Sequence, residues 1–366
     1  MSKMVETAYS PDSITSPGVT LADILEEREM TQVELSERTG LSTKTINLII
    51  KDGHTVSPET AVLLERALGI PAQFWNRREQ IYRDFCVREK ERSALEKAST
   101  WLKNLPINEM VKRGWVQGVD DDVEQVRELL RFFGVASVTQ WEKVYAKPQA
   151  LYRKSKTSTI DAGALAAWMR RGEIEAGVLH TAPYNADTFR KNLGKIKELT
   201  REHPSVFIPQ MRRLCAEAGV AFVVLPEIPR AQTNGLTRWL SPNKALIQLC
   251  LFRKYADIFW FTFFHEAAHI LKHGKRDVFV ESTNGKYVGD LEDEADRFAA
   301  DILIPPSQFT MLKHTRPYSE AIVQDFADNL ELLPGIVVGR LQHEELLPWT
   351  HLNKLRTKYR WSDKPN

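Results

Sequence analysis

The chain has 366 residues, of which 43% are hydrophobic and 27% are charged, and its formal net charge at pH 7 is +2. A chain of this length suits two or three domains, each able to bury a core. The near-neutral charge excludes binding to nucleic acid through overall basicity, so any DNA contact must come from a local surface.

The cysteines and the N-terminal sequence indicate in which cellular compartment the protein is expected. Cys86, Cys215 and Cys250 are scattered and form no Cys-x-x-Cys pair, which predicts free thiols in a reducing environment. Residues 1–17 carry no apolar signal-peptide core and are predicted to be disordered. The longest apolar run, at 258–264, is too short to span a bilayer. We therefore expect a cytoplasmic protein with no membrane partner.

Residues 18–92 are predicted to form a small all-α domain followed by a charged connector helix. Thr31 and Glu34 form a capping box for the second of five helical patterns. Thr20 and Ser57 are placed to cap the first and the fourth. The predicted helices cover 21–29, 32–38, 43–50, a stretch from Pro58 to Gly69, and a stretch that starts at Pro71.

The second and third predicted helices are joined by Thr-Gly-Leu-Ser, a loop length typical of helix-turn-helix motifs. The residues predicted to face inward are Val33, Leu35, Leu41, Ile46 and Ile49. Small polar side chains on the outer face can approach base edges, and a lysine can meet a phosphate. The predicted DNA-contacting residues are Gln32, Ser42, Thr43, Lys44, Thr45 and Asn47. The alternative interpretation is a five-helix bundle that serves protein contacts.

Residues 18–75, GVTLADILEEREMTQVELSERTGLSTKTINLIIKDGHTVSPETAVLLERALGIPAQFW, resemble the helix-turn-helix of the XRE class in its HigA-type antitoxin branch. That resemblance implies binding to double-stranded operator DNA. It also implies a homodimer, because that branch usually binds palindromic operators as a dimer.

Residues 93–203 are predicted to be a helical middle region. Helices are expected at 122–133 and 159–176, each followed by a glycine. Trp101, Trp115, Trp141 and Trp168 suggest anchors of a core or an interface. The region carries no metal, phosphate or nucleophile motif. We interpret it as a helical spacer or a dimerising domain, with ligand sensing as the alternative.

Residues 204–366 are predicted to form a further domain that contains a small sheet. Strands are expected at 221–225, 235–240 and 245–251, ahead of a helix that carries HEAAH at 265–269. A strand just before such a helix often forms the cleft wall along which an extended peptide adds as another strand. The strand at 245–251 is predicted to be that wall.

The HEAAH sequence predicts a metal site. Residues four apart lie one turn apart on the same face of a helix, so His265 and His269 can reach one metal ion. Glu266 stands beside that face, where a carboxylate can take a proton from water activated by the metal. The alternative is a buried helix with two hydrogen-bonded histidines. Unpaired polar groups in so apolar a stretch are costly, however, whereas a metal would satisfy them.

Two histidines and a water leave a tetrahedral zinc one ligand short. A helix over 290–305 would have an inward stripe of Ala295, Phe298, Ala299, Ile302 and Leu303. Glu292 falls at the edge of that stripe and is the predicted third ligand, whereas Asp293 and Glu294 point away. Asp296, one turn on, can accept a hydrogen bond from a ligand histidine. His273 lies too far along its helix for the same metal, and we expect it at the surface or as a support behind a ligand.

Residues 206–360 resemble the ImmA/IrrE family of zinc metallopeptidases. The resemblance rests on HEAAH at 265–269, EDEADRFAADILIP at 292–305 and LPGIVVGRLQHE at 333–344. It implies zinc ligation by His265, His269 and Glu292, with Glu266 as the catalytic glutamate. The expected fold is mainly α with a small β-sheet (α+β), consisting of the helix-turn-helix domain, the helical middle region and a zincin-like metallopeptidase domain.

Together these features predict a DNA-binding regulator that is also a zinc endopeptidase. Its protein substrate would be a partner repressor, a toxin or the chain itself, within a stress, phage or toxin–antitoxin switch. The alternative is an antitoxin-like autoregulator whose zinc site is structural or sensory. A metal-dependent enzyme acting on small molecules is less favoured, because a strand-lined cleft suits peptides.

Overall fold

The computed structural model describes residues 14–146, 161–231, 233–251, 254–273 and 287–360. The chain divides into two compact units, Met1–Ser99 and Thr100–Asn366. The described residues are mainly helical and include a three-stranded sheet, which confirms the predicted fold class. Most of the predicted disordered segment, residues 1–13, lies outside the described residues.

The first unit contains the five predicted helices: α1 Pro17–Glu27, α2 Gln32–Thr39, α3 Thr43–Asp52, α4 Pro58–Leu68 and α5 Ala72–Ala98. The hydroxyl of Thr31 accepts a hydrogen bond from the backbone N–H of Glu34 at 3.1 Å, which confirms the predicted cap of α2. Ser57 caps α4 in the same way. The predicted cap of α1 is wrong, because Ser16 rather than Thr20 occupies that position.

The core of the first unit is formed by Leu21, Leu25, Leu35, Ile46, Ile49, Val56, Ala61, Leu64, Leu68 and Trp75. The prediction that Val33 faces inward is wrong, since this residue is 57% exposed. The inward face of α2 is set by Leu35 and Thr39, which are four residues apart. Two residues span about 200° of helix, so Val33 projects from the opposite side.

The second unit contains the helices α6 Ile107–Lys112, α7 Asp122–Phe133, α8 Val138–Trp141, α9 Ala162–Val178, α10 Ala186–Glu198, α11 Pro204–Glu217, α12 Ala256–Lys272, α13 Tyr287–Leu303, α14 Pro306–Lys313, α15 Glu320–Asn329 and α16 Pro334–His343. Its strands are β1 Val220–Val224, β2 Gly235–Ser241 and β3 Lys244–Leu249, within two residues of the predicted bounds. The first residues of the helix predicted at 159–176 lie outside the described residues.

The tryptophans of the predicted middle region are core anchors. Trp101 and Trp141 are buried with their ring centroids 5.4 Å apart, and both pack against Phe133. Trp168 is fully buried between α9 and the sheet, and Trp115 is half-buried against the same cluster. Helix α9 therefore covers one face of the sheet.

The sheet has the strand order β1-β3-β2. β1 and β3 are parallel, with Val220 opposite Ala245, whereas β2 and β3 are antiparallel, with Thr237 opposite Ile247. β3 is thus the central strand and is paired on both sides. The prediction that it forms a wall open to a peptide is wrong, because its backbone groups already bond to β1 and β2.

Helix α12 packs against the sheet on the face opposite α9. Its contact with β2 is close at Gly235, where a Cβ atom would lie 2.5 Å from Leu249 and 2.7 Å from Thr262. Thr237, also on β2, donates a hydrogen bond from its hydroxyl to the backbone carbonyl of Glu266 at 3.0 Å. The strand that runs beside the HEAAH segment is therefore the edge strand β2. Among the described residues, none of the helices combines the length and hydrophobicity needed to cross a bilayer.

Candidate metal centre

Helix α12 presents its histidines from within the core. Its apolar residues form a broad buried surface that includes Phe259, Trp260, Phe263, Phe264 and Ile270. His265 and His269 lie on the remaining narrow face, with side chains only 15% and 13% exposed. Because burial leaves these rings few rotamers, the helix holds both imidazoles in fixed positions before any ligand binds.

The structure brings the three predicted ligands together. Nε2 of His265 lies 3.0 Å from Nε2 of His269. The carboxylate of Glu292, on α13, lies 3.2 Å from Nε2 of His265 and 3.7 Å from Nε2 of His269. The ligand atoms of all three residues fall within 4.8 Å of one another. Glu292 is 39% exposed, so the cluster is closed on the histidine side and open on the carboxylate side.

Asp296 lies behind the first histidine, where the helical pattern predicted a supporting carboxylate. Nδ1 of His265 donates to its Oδ1 at 2.7 Å. This contact orients the ring so that Nε2 is directed toward His269 and Glu292. Asp293, predicted to point away, is exposed.

Electrostatics make the two rings unequal. Burial alone lowers the pKa of His265, but hydrogen bonds to Asp296 and Glu292 and the charge of Glu266 outweigh it and raise the pKa to about 10. Burial lowers the pKa of His269, and the neighbouring charge of His265 lowers it further, to about 4. At neutral pH the positive charge of the pair therefore lies on His265.

Glu266 is buried, with 8% of its surface exposed, and its charge acts on His265. Its backbone carbonyl is fixed to β2 by Thr237. The HEAAH segment of α12 is therefore anchored to the edge strand β2 at Glu266. Thr237 is a residue that sequence reasoning missed, since no motif marks it.

The donor set fits zinc. Two imidazole nitrogens and one carboxylate oxygen are typical of catalytic zinc sites, which keep a further position open for water or substrate. Magnesium and calcium prefer all-oxygen sites, which this cluster is not. Of the three described cysteines, Cys215 and Cys250 are buried in apolar clusters, and Cys86 lies on α5 of the first unit.

The residues predicted to contact DNA lie around the start of α3. Thr43 and Lys44 are exposed, whereas Gln32 and Asn47 are half-buried. The Ser42 hydroxyl caps α3 by accepting a hydrogen bond from the backbone N–H of Thr45, and it lies 2.8 Å from the Thr45 hydroxyl. These two hydroxyls therefore hold each other as well as facing outward. Their role in DNA contact stays a prediction.

The two units thus present two different sites. The first unit carries a helix-turn-helix in which the N-terminus of α3 is exposed. The second unit carries a cluster of candidate metal ligands on α12 and α13, beside the edge strand β2.

One segment in each unit matches a known protein family. Residues 21–75 match the Helix-turn-helix family, and residues 257–341 match the Peptidase M78 family, described as the IrrE N-terminal-like domain. No curated protein and no solved structure matches the chain. The first match indicates a DNA-binding regulator. The second indicates a metallopeptidase-like domain, and the matched range contains His265, His269 and Glu292.

Proposed function

We propose that the chain is a cytoplasmic transcriptional regulator whose second unit is a zinc-dependent endopeptidase. The observation that carries the proposal is the convergence of His265, His269 and Glu292 to within 4.8 Å, with Glu266 buried beside them. A purely structural zinc site is usually closed by four protein ligands, whereas three leave a position for chemistry. The half-exposed carboxylate of Glu292 supports the proposal, because solvent or a substrate can reach the cluster from that side.

Each residue has a distinct role. His265, His269 and Glu292 would hold the ion, and zinc supplies Lewis-acid polarisation of a carbonyl oxygen and of water when bound. Glu266 accepts a proton from the attacking water and passes it to the leaving amine nitrogen. Asp296 keeps the proton of His265 on Nδ1 and so presents Nε2 as a ligand atom.

The substrate is proposed to be an extended peptide that adds to β2. The backbone N–H of Cys250 donates to the carbonyl of Asn234 at 2.8 Å, which makes these two residues a hydrogen-bonded pair. In an antiparallel ladder such pairs alternate, so the backbone N–H and carbonyl of Thr237 point away from β3. Because Thr237 also contacts α12 at Glu266, a peptide on this edge would pass beside the cluster.

The helix-turn-helix suggests that the peptidase acts in the regulation of transcription. We propose a HigA-like unit that binds double-stranded operator DNA as a homodimer through Gln32, Ser42, Thr43, Lys44, Thr45 and Asn47. The protein substrate would be a partner repressor, a toxin or this chain, so that cleavage changes transcription.

The test uses the full chain and a Glu266→Gln variant of matched shape. Both are loaded with zinc and incubated alone and with the proteins encoded beside this gene, and cleavage is followed by mass spectrometry. Zinc-dependent cleavage that disappears in Glu266→Gln, while zinc and operator DNA stay bound, supports the proposal. A Glu266→Gln variant that regulates its operator as the wild type does would instead favour an autoregulator with a structural or sensory zinc site.

A further inference from the structure

The C-terminal end of α12 carries a third histidine. His273 directly follows Lys272, the last residue of the helix, and its backbone N–H still donates to the carbonyl of His269 at 3.2 Å. Its side chain is only 3% exposed. A buried imidazole is costly unless its polar atoms have partners, so its contacts indicate what it does.

His273 contacts the side of His269 that faces away from the cluster. The two Nδ1 atoms are 2.7 Å apart, whereas Nε2 of His269 faces His265 and Glu292. Of these two Nδ1 atoms, one must therefore donate and the other accept. A ligand nitrogen must be unprotonated, so for His269 to bind a metal through Nε2 its proton must sit on Nδ1.

The same requirement determines which nitrogen of His273 carries the proton. If Nδ1 of His269 donates, Nδ1 of His273 accepts, and the proton of His273 sits on Nε2. This Nε2 is buried and lies 3.5 Å from the carboxylate of Glu294, which in turn contacts Nζ of Lys272 at 2.8 Å. Glu294 thus lies beside His273 without a hydrogen bond to its Nε2, although the helical pattern predicted that it points away.

We infer that His273 is a positioning residue that fixes the ring and the proton of His269 so that Nε2 is presented to the metal. The inference rests on the proposed zinc site. The two ligand histidines are then held differently, His265 by the carboxylate of Asp296 and His269 by the buried imidazole of His273. His273 itself donates no ligand atom, because its Nδ1 is engaged with His269 and its Nε2 faces Glu294.

The test compares two variants of the same shape, His273→Asn and His273→Leu. The Asn side-chain oxygen takes the place of Nδ1 and can accept from His269, whereas Leu fills the same space and cannot accept. Zinc affinity of the full chain is measured by competition with a chelator, and the visible spectrum of the cobalt-substituted protein reports ligand geometry. Unfolding of the metal-free chains is measured in parallel.

The expected result is a loss of zinc affinity of about 10–100-fold in His273→Leu, with an altered cobalt spectrum, because that is the usual effect of removing an outer hydrogen-bond partner. His273→Asn is expected to restore most of the affinity and the wild-type spectrum. Equal losses in both variants, or wild-type affinity in His273→Leu, would overturn the inference while leaving the zinc site intact. A wild-type chain that binds no zinc would overturn the proposed peptidase together with the inference.

Discussion

The carboxylate of Asp296 on α13 lies 2.7 Å from Nδ1 of His265 on α12, thirty-one residues earlier in the chain. This contact joins the two helices that supply the metal-type cluster and leaves Nε2 of His265 facing Glu292. We expect Asp296→Asn to lower zinc affinity by about 10–100-fold, since the neutral amide accepts the proton of His265 more weakly. Chelator competition measures the change. Asp293→Asn, an exposed change on the same helix, is the control, and an equal loss there would contradict the assignment.

Zinc should stabilise the second unit. An ion that binds only the folded state adds about 2.7 kcal/mol of stability at a concentration one hundred times its dissociation constant. Calorimetry of the full chain is expected to show a higher unfolding temperature with zinc and little change with magnesium, which prefers oxygen ligands. His269→Ala should abolish the zinc effect. A persistent shift in that variant would mean that the ion binds elsewhere.

Arg356 and Asp257 form a buried ion pair that ties the chain near its C-terminus to the first turn of α12. Their closest atoms are 2.7 Å apart, and the side chains are only 8% and 6% exposed. Arg356→Met leaves the carboxylate without its partner and is expected to cost about 3–5 kcal/mol in the free energy of unfolding. Denaturant titration measures the loss.

The control for this pair is Lys354→Met, which removes an ion pair between two exposed side chains, those of Lys354 and Glu320. Exposed pairs contribute about 0–1 kcal/mol, so this variant should unfold nearly as the wild type does. Similar losses of unfolding free energy in both variants would show that the buried pair with Asp257 contributes no more than an exposed pair.

Two glycines of α9 provide a matched test of packing. A Cβ atom at Gly163 would lie 1.8 Å from the backbone carbonyl oxygen of Asn104, whereas one at Gly177 meets nothing within 4 Å. Gly163→Ala is expected to destabilise the second unit by about 1–3 kcal/mol, because backbone must move to make room. Gly177→Ala should be neutral or stabilising by up to about 1 kcal/mol, through helix propensity. Thermal unfolding compares them, and a stable Gly163→Ala variant would refute the close approach.

The helix-turn-helix can be tested through salt dependence. Lys44 is exposed at the start of α3 and is predicted to meet a phosphate. Lys44→Ala should weaken binding to all DNA sequences and reduce the slope of log affinity against log salt by about one. Lys97→Ala, an exposed change on α5, should leave the slope unchanged. Fluorescence anisotropy with the DNA upstream of this gene measures both, and an unchanged slope in Lys44→Ala would exclude the contact.

Local sequence was enough to predict most helices and the ligand face of the cluster. Helix caps depend on residues within four positions, as Thr31 and Ser57 illustrate. The spacing of His265 and His269 places both rings on one face of α12, and the stripe on α13 selects Glu292. The caps and the shared face could be predicted because their physical cause lies within one or two turns of helix. Metal binding by these residues stays a prediction.

Other features depend on contacts between distant segments. The hydrophobicity of residues 245–251 predicts a buried strand, but only the pairing of β3 with both β1 and β2 makes it central and leaves β2 at the edge. Likewise, the pattern of α2 left Val33 assigned to the wrong side, because the neighbouring helices decide which side is covered.

The sequence by itself determined the helix-turn-helix pattern, the mainly helical class and the pair of histidines one turn apart, because helical periodicity and capping are local. Only the tertiary structure decided that Glu292 reaches both rings, that Thr237 fixes the carbonyl of Glu266 to β2, and that His273 supports His269 from inside the protein. Burial and side-chain direction across separate elements are set by packing, and packing is settled only when the whole unit is folded.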